Sequence, residues 1–310
     1  MKKNNSKNND FIFNYLEDTK VFDIDISSLR SKSFYHDMLS NRNKYYKKYK
    51  KYLLKDSSHN CVLCGRKSKS IFLEWKKYRL FECNYCDSIF PNIDLDAFAD
   101  SDFFTNNPDR TKDFMQEMLK TFSYRKKLFG TERYEYLKSK YQKFKKGFKV
   151  LDYGCGRGYF IEFLKSKKIE ARGIDLDNNA VKFCKKRGMD VSNSDLFDEK
   201  NNEYDLITMF DSIEHFHKPI EVFNIAHKKL KKNGRILAYT PNIKSLSTYL
   251  MGTEHNVLAV FDHVCMYSEK SLKLLSRKTN FEIESIDYYG LDIKDYLQMK
   301  QSEDNFNYNK

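Results

Sequence analysis

From Phe148 onward the chain alternates short apolar runs with longer stretches of helical spacing. Val150-Leu151-Asp152 closes a first strand-like run, and Ala171 to Ile174, Met189 to Val191, Tyr204 to Phe210, Arg235 to Tyr239 and Phe281 to Ile286 predict five more. Between them Tyr159 to Lys167, Asn179 to Arg187, Pro219 to Leu230 and Glu269 to Lys278 predict helices. Apolar runs bounded by turns and spaced by helices are the pattern of βα units, so the expected fold is a doubly wound, Rossmann-like α/β domain with a mostly parallel sheet.

Upstream the pattern changes. Residues 1–60 form a basic segment rich in Lys, Asn and Tyr, partly disordered by expectation over its first ten residues, with aromatics after Phe11 available for packing. Residues 61–93 carry paired cysteines around two apolar runs, IFLEW and YRLFEC. Residues 94–147 read as a mainly helical linker, with turn chemistry through Asn106-Asn107-Pro108-Asp109 and helical spacing from Thr111 to Lys146, broken at Gly130-Thr131. Residues 148–290 are the main domain and 291–310 a polar C-terminal tail, so two folded units are expected in the 310 residues.

Composition adds a basic balance, with 56 Lys and Arg against 43 Asp and Glu and a formal charge of +13. Such a charge attracts anionic partners, but abundant Lys, Asn and Tyr beside four prolines is also what an AT-rich coding sequence produces. Tyr124 to Lys149 holds ten basic and two acidic residues with Tyr134, Tyr136, Tyr141 and Phe144 interspersed, a pattern that suits a nucleic-acid face or a solvated helix with its aromatic stripe turned inward. The segment FIFNYLEDTK is too short for a signal-peptide core, and no run reaches the 18 or so apolar residues of a membrane span, so a cytoplasmic protein without a membrane span is expected.

The segment VLDYGCGRGYF sets Gly154, Gly156 and Gly158 between a strand and a helix, where side chains would keep a ligand from the backbone. Asp175 lies 21 residues after Gly154 at the end of the next strand, the position from which a carboxylate accepts hydrogen bonds from ribose hydroxyls. The spacing is G-x-G-x-G rather than G-x-G-x-x-G, which disfavours a nicotinamide cofactor.

VLDYGCGRGYF resembles the first motif of class I S-adenosylmethionine-dependent methyltransferases, and GIDLD resembles their second. SNSDLFD, YDLITMFDSIEHFHKP and LKKNGRILAYTPN are similar, in order, to the third-, fourth- and fifth-strand segments, with Lys-Asn-Gly at 232–234 in place of Pro-Gly-Gly. DHVCMYSEKSLKLLSRKTNFEIESI looks like the tail of a subgroup that includes ubiquinone-biosynthesis and sugar methyltransferases. The resemblance spans residues 148–288 and implies S-adenosylmethionine as cofactor. It places Asp152 and Gly154 near the methionine part, Gly156 near the ribose, and Asp175 on the ribose hydroxyls. Leu176 is expected on the adenine face, with Asp195 and the Leu196 amide at the adenine edge.

Methyl transfer is an in-line displacement, and an oxygen nucleophile benefits from a base or a metal that takes its proton. Asp211, Glu214 and His215 share one face if their turn is helical, and His263 is a second candidate base. In the ubiquinone-biosynthesis relatives the equivalent Glu-x-x-Glu-His segment is associated with a divalent metal, which adds Mg²⁺ as an alternative role, with Asp211 standing first here. No Asn/Asp-Pro-Pro-Tyr/Phe segment or Pro-Cys nucleophile is present, which disfavours DNA amino and pyrimidine C5 transfer and leaves small oxygen acceptors, sugars above all.

Cys61-x2-Cys64 and Cys83-x2-Cys86, 18 residues apart, match the spacing that closes a tetrahedral four-thiolate Zn²⁺ site. Four protein ligands leave no open position, so the zinc is structural. CDSIFP closes the module much as zinc ribbons do in front of bacterial methyltransferases that tailor polysaccharides and natural products. The same module resembles nucleic-acid fingers, which keeps an RNA methyltransferase as the alternative, and a cofactor-binding scaffold without turnover as a third.

Overall fold

The computed structural model describes residues 25–31, 33–103, 119–141, 144, 147–288, 290 and 293–307. The first ten residues, the Asn106 to Asp109 turn and the segment from Thr111 to Met118 lie outside that set.

Five parallel strands form the central sheet: β6 (Lys149–Tyr153), β7 (Glu170–Ile174), β8 (Val191–Ser192), β9 (Tyr204–Phe210) and β10 (Leu230–Tyr239), in the order β8-β7-β6-β9-β10. The order turns back at β6, which is flanked by β7 and β9, and this opens a crevice beyond the carboxyl ends of the strands. Between the strands run three helices, α4 (Tyr159–Ser166), α5 (Asn178–Lys186) and α6 (Pro219–Lys229). Each forms for local reasons. Asp177 caps α5 by accepting the Asn179 amide, Pro219 opens α6, and Gly188, with φ of +67°, ends α5 while the Met189 amide returns to the Cys184 carbonyl.

In β10 the ladder jumps from Leu230↔Tyr204 to Arg235↔Leu206, so Lys231 to Gly234 bulge out, with Asn233 at φ +64° supplying the left-handed turn expected of Asn-Gly. Phe281 to Ile286, by contrast, does not become a sixth strand: it pairs with no strand among the described residues. Arg235 is held by Glu284, and Tyr136 by Ser285 and Asp287, through side chains instead of a backbone ladder. A cavity of about 1390 Å³, lined by Tyr141, Tyr239, Phe281 and Tyr288 among others, separates this segment from β10.

The cysteine module comprises a short hairpin, β1 (His59–Asn60) with β2 (Lys67–Ser68), and a three-stranded antiparallel sheet of β3 (Ser70–Trp75), β4 (Tyr78–Glu82) and β5 (Ile89–Pro91). It does not stand apart from the main domain. Leu63, Phe81 and Phe90 share a core with Leu151, Ile207, Ile213 and Tyr267, and Ile89 pairs with Met266 in an isolated bridge. Upstream, α1 (Phe34–Tyr49) packs its aromatics inward, with Tyr49 in a cluster with Phe98, Phe103 and Phe261. Its buried Arg42 donates to the carbonyls of Thr253 and His255. A short helix, α2 (Leu95–Ala99), follows the module. Near the chain ends Arg30 and Tyr35 hold Asp295 of a helix at Ile293–Asn307, so the C-terminal tail has regular structure.

The helix α3 (Phe122–Lys140) runs through Gly130 without the expected break. Gly130 serves packing: α3 lies against α4, and a Cβ at that position would come within 2.5 Å of the Phe163 ring. The aromatic stripe turns inward, with Tyr134 against Phe144 and Phe163, and Tyr141 against Phe148. Gly130→Val is therefore expected to destabilise the chain by about 2 kcal/mol, since overpacking outweighs the gain in helix propensity. Urea melts check this, and an unchanged midpoint would show that Phe163 moves aside at no cost.

Candidate active site

The glycine turn leaves β6 at the crevice. The amides of Gly154 and Cys155 donate to the Ile174 carbonyl at 2.9 and 3.2 Å, which folds the turn across the end of β7. Gly154 has φ of +74°, and a Cβ there would lie 2.5 Å from the Ser212 hydroxyl oxygen, itself held by the carbonyls of Tyr153 and Phe210. Gly156, at φ +52°, has nothing within 4 Å of where its Cβ would stand, so the cradle is open on that side.

Asp175 closes the cradle from β7. Its Oδ2 accepts the Gly156 amide at 2.7 Å and its Oδ1 the Asp177 amide at 2.8 Å. Asn193 ties the two neighbouring loops together by donating to the carbonyls of Asp175 and Leu176. Leu176 and Phe197 are left exposed at 53% and 71%, next to the exposed Asp195. The Asp195 side chain accepts the Phe197 amide in a capping box with Asp198, while Leu196 is buried.

Asp152 is buried at the end of β6, where its carboxyl accepts the Thr208 hydroxyl of β9 at 2.7 Å. Burial pushes its pKa up to about 6, opposed by the Thr208 bond and by the positive charge of Arg133. Arg133 reaches in from α3 and lies 3.8 Å from the centre of the Phe210 ring. Nothing in the sequence pattern lifts Arg133 out of the linker, because its partners stand on strands far along the chain.

Across the crevice Ile213–His215 forms a single 3₁₀ turn after β9. Glu214 has no exposed surface; its Oε2 accepts the Thr240 hydroxyl at 2.9 Å, and its Oε1 has no hydrogen-bond partner among the described residues. Burial pushes its pKa up to about 7, while the neighbouring His215 opposes and Asp211 adds to the rise. One donor atom each of Glu214, His215 and His263 lies within 4.8 Å of the others. Asp211 stays at the crevice mouth with its amide on the Tyr239 carbonyl and φ of +50°.

His215 Nδ1 faces both the carbonyl and the carboxylate of Asp262, at 2.8 and 3.1 Å, and His263 Nδ1 faces the Val257 carbonyl at 2.9 Å. Two acceptors at His215 Nδ1 and a backbone carbonyl at His263 Nδ1 favour the tautomer with the proton on Nδ1 in both rings. Asp262 and Thr240 carry no motif signal of their own.

The cysteines form a second constellation. The four sulfurs of Cys61, Cys64, Cys83 and Cys86 lie within 4.8 Å of one another. The two knuckles repeat one geometry: the Gly65 and Asp87 amides donate to the Cys61 and Cys83 carbonyls at 2.8 Å, and both residues are left-handed, at φ +75° and +58°. Burial pushes the Cys64 thiol up to about 11, whereas the hydrogen bond from Cys61 pulls Cys86 down to about 5. A dication between the sulfurs would remove all four protons, and an all-thiolate tetrahedron suits Zn²⁺.

Glu214 makes stability depend on pH. Its folded pKa of about 7 lies above the ordinary 4.5, so its contribution is fully present below pH 4.5 and is lost as pH rises through 7. Glu214→Gln, which keeps the Thr240 contact, is expected to remove about 3 kcal/mol of that decline. Urea melts at pH 4.5 and 8 measure it; parallel declines in parent and variant would contradict the assignment.

A family model described as a methyltransferase domain matches residues 119–286. Ubiquinone biosynthesis O-methyltransferase of Methylococcus capsulatus is 32% identical over 114 residues, 34% of this chain and 48% of its own length. The Idiomarina loihiensis protein of the same name is 27% identical over 120 residues, 35% of this chain and 49% of its own. The chain thus spans about half the length of the curated relatives it matches. Among solved structures, a SAM dependent methyltransferase from Archaeoglobus fulgidus shares 25% identity at a TM-score of 0.42, over 52% of this chain and 74% of that one. The family match covers more than half of the residues, across the sheet, the glycine turn and the Glu214 cluster, and the chain belongs to the methyltransferase-domain family as a class I S-adenosylmethionine-dependent member.

Proposed function

We propose that this chain moves the methyl group of S-adenosylmethionine to a hydroxyl oxygen of a small, sugar-containing acceptor. The observation that carries this reading is the Glu214, His215 and His263 cluster across the crevice from the open glycine cradle. Transfer to oxygen, unlike transfer to an unprotonated amine, needs a group that takes a proton.

The residues present fit the cofactor. Gly156 leaves space, the Asp175 carboxylate beside it is assigned to the ribose hydroxyls, and Leu176 with the Asp195 loop offers an apolar face and a polar edge for the adenine. Asp152 and Gly154 are assigned to the methionine end of the cofactor, with the Arg133 guanidinium, which lies near enough to favour the Asp152 charge, beside them. S-adenosylmethionine, when bound, supplies an electrophilic methyl on a positively charged sulfur.

In the proposed mechanism the acceptor oxygen displaces the thioether in line, forming the O–C bond as the C–S bond breaks, with reacting atoms brought to about 3–3.5 Å. The acceptor proton passes to His215 Nε2. Asp262 holds that ring in the required tautomer, and Glu214 stabilises the imidazolium. His263 borders the acceptor oxygen. The orphaned Glu214 Oε1 would also suit a divalent cation, and Mg²⁺ held by Glu214 and His215 would polarise the hydroxyl. Two imidazoles make the set nitrogen-rich for Mg²⁺, so proton removal by histidine is the reading adopted here.

Sugar acceptors are favoured by the likeness of the cysteine module to ribbons in polysaccharide-tailoring enzymes, and the O-methyltransferase names of the relatives support an oxygen acceptor. An RNA acceptor is less well supported. Within the basic stretch Lys126 pairs with Glu162, Lys140 with Asp287 and Lys149 with Glu203, and the aromatic stripe is packed inward. Among the described residues no helix is long and apolar enough to cross a membrane. Four reduced cysteines as zinc ligands suit the reducing cytoplasm.

Calorimetry should give micromolar S-adenosylmethionine binding and no NADH binding. Asp175→Ala is expected to weaken cofactor binding about 10- to 100-fold with zinc content unchanged. His215→Ala should leave cofactor binding intact and lower label transfer from methyl-tritiated S-adenosylmethionine to a nucleotide-sugar panel by about 10²- to 10⁴-fold. Unchanged cofactor affinity in the first variant, or unchanged transfer in the second, would remove the corresponding role.

A further inference from the structure

The cysteine module reaches the active site along a continuous backbone path. Three residues after Cys86, Ile89 exchanges two backbone hydrogen bonds with Met266, at 2.9 and 2.8 Å. Beside Met266, the amides of Val264 and Cys265 donate to the Glu214 carbonyl at 2.8 and 3.0 Å, and the Tyr267 hydroxyl donates to the Ile213 carbonyl at 3.2 Å. Val264 to Tyr267 are each 2% exposed or less. His263 immediately precedes this segment, and Lys270 just beyond it pairs with Asp87 of the second knuckle at 3.0 Å.

One four-residue strap therefore holds both halves of the catalytic cluster. Its leading end carries His263, and its amides and hydroxyl grip the turn that carries Glu214 and His215. The outer edge of the strap rests on Ile89, whose own position depends on the Cys83–Cys86 knuckle, closed by the Cys83 amide on the Ser88 carbonyl at 2.9 Å. If the knuckle opened, the amide and carbonyl of Met266 would lose their partners inside the core, a cost that a shifted strap avoids.

We propose that the four-cysteine site is a positioning device for the active site: zinc fixes Ile89 against Met266, and the 264–267 strap, with Tyr267 as a positioning residue, holds Glu214, His215 and His263 in mutual register. This rests on reading the four cysteines as a zinc site. The coupling runs through backbone contacts, so it acts on the histidines whether or not cofactor or acceptor is bound.

The test uses the full chain and needs no acceptor. Metal analysis first gives the zinc content. Side-chain ¹H–¹⁵N spectra then follow the titration of each histidine before and after zinc is removed by chelation, with S-adenosylmethionine affinity measured in parallel. The expected result is bound zinc whose removal shifts the His215 and His263 midpoints by roughly 0.5 pH unit or more, with His36 unmoved and cofactor affinity within about twofold. Tyr267→Phe should keep its zinc and move His215 in the same direction by a smaller amount. Absence of bound zinc would overturn the zinc reading and the inference with it. Bound zinc whose removal leaves His215 and His263 in place would overturn the inference alone. If chelation unfolds the chain, Tyr267→Phe decides: a shifted His215 supports the coupling and an unmoved one overturns it.

Discussion

Ionising a carboxyl group that has no contact with water costs several kcal/mol unless neighbouring groups compensate, and Glu214 is placed where that cost organises its surroundings. Thr240 serves one of its oxygens, His215 lies close enough to favour its charge, and two amides from the 264–267 strap hold its backbone carbonyl. None of these partners comes from the same element. Thr240 follows β10, His215 belongs to the turn after β9, and the strap is carried against the cysteine module. The crevice keeps its shape because displacing any of these elements leaves a buried polar group unsatisfied.

The other side of the crevice obeys a similar constraint at closer range. Asp152 and Thr208 join β6 to β9 at the switch point by a side-chain bond, just where the backbone ladder ends at that pair. One turn beyond, Gly154 lets the chain pass against Ser212, so the cradle and the Glu214 turn are in direct contact. The glycine turn and the Glu214 turn are thus parts of one packed unit.

The legible parts of this protein were those whose signal is local. Strand-helix alternation, three glycines between a strand and a helix, and two cysteine pairs at knuckle spacing each encode their geometry within a few residues. His263 was legible only as a histidine in a suggestive segment, because its partner Glu214 lies 49 positions away and the strap that unites them has no periodic pattern. Arg133 and Asp262 were silent for the same reason. Gly130 misled, since a glycine that breaks a helix and one that admits a neighbouring ring look identical until the neighbour is known. Phe281 to Ile286 alternates as a strand should, yet alternation reports which face is apolar and says nothing of whether a partner edge is within reach. The separateness suggested by a self-contained cysteine module was also an artefact of locality: spacing describes the ligands, while the shared core that joins Leu63 and Phe81 to Leu151 is a long-range fact.

Buried carboxyls on opposite sides of the crevice are both pushed up, Asp152 from 3.8 to about 6 and Glu214 from 4.5 to about 7. At neutral pH the first is mostly charged, which suits a group facing the cationic end of a cofactor. The second sits near its midpoint, with His215 favouring its charge and Asp211 opposing it. The groups that offset burial differ: Asp152 has the Thr208 hydroxyl and the Arg133 charge within reach, while Glu214 has the Thr240 hydroxyl and His215, with Asp211 opposing. What stands beside each buried carboxyl therefore follows from which long-range element each strand end meets.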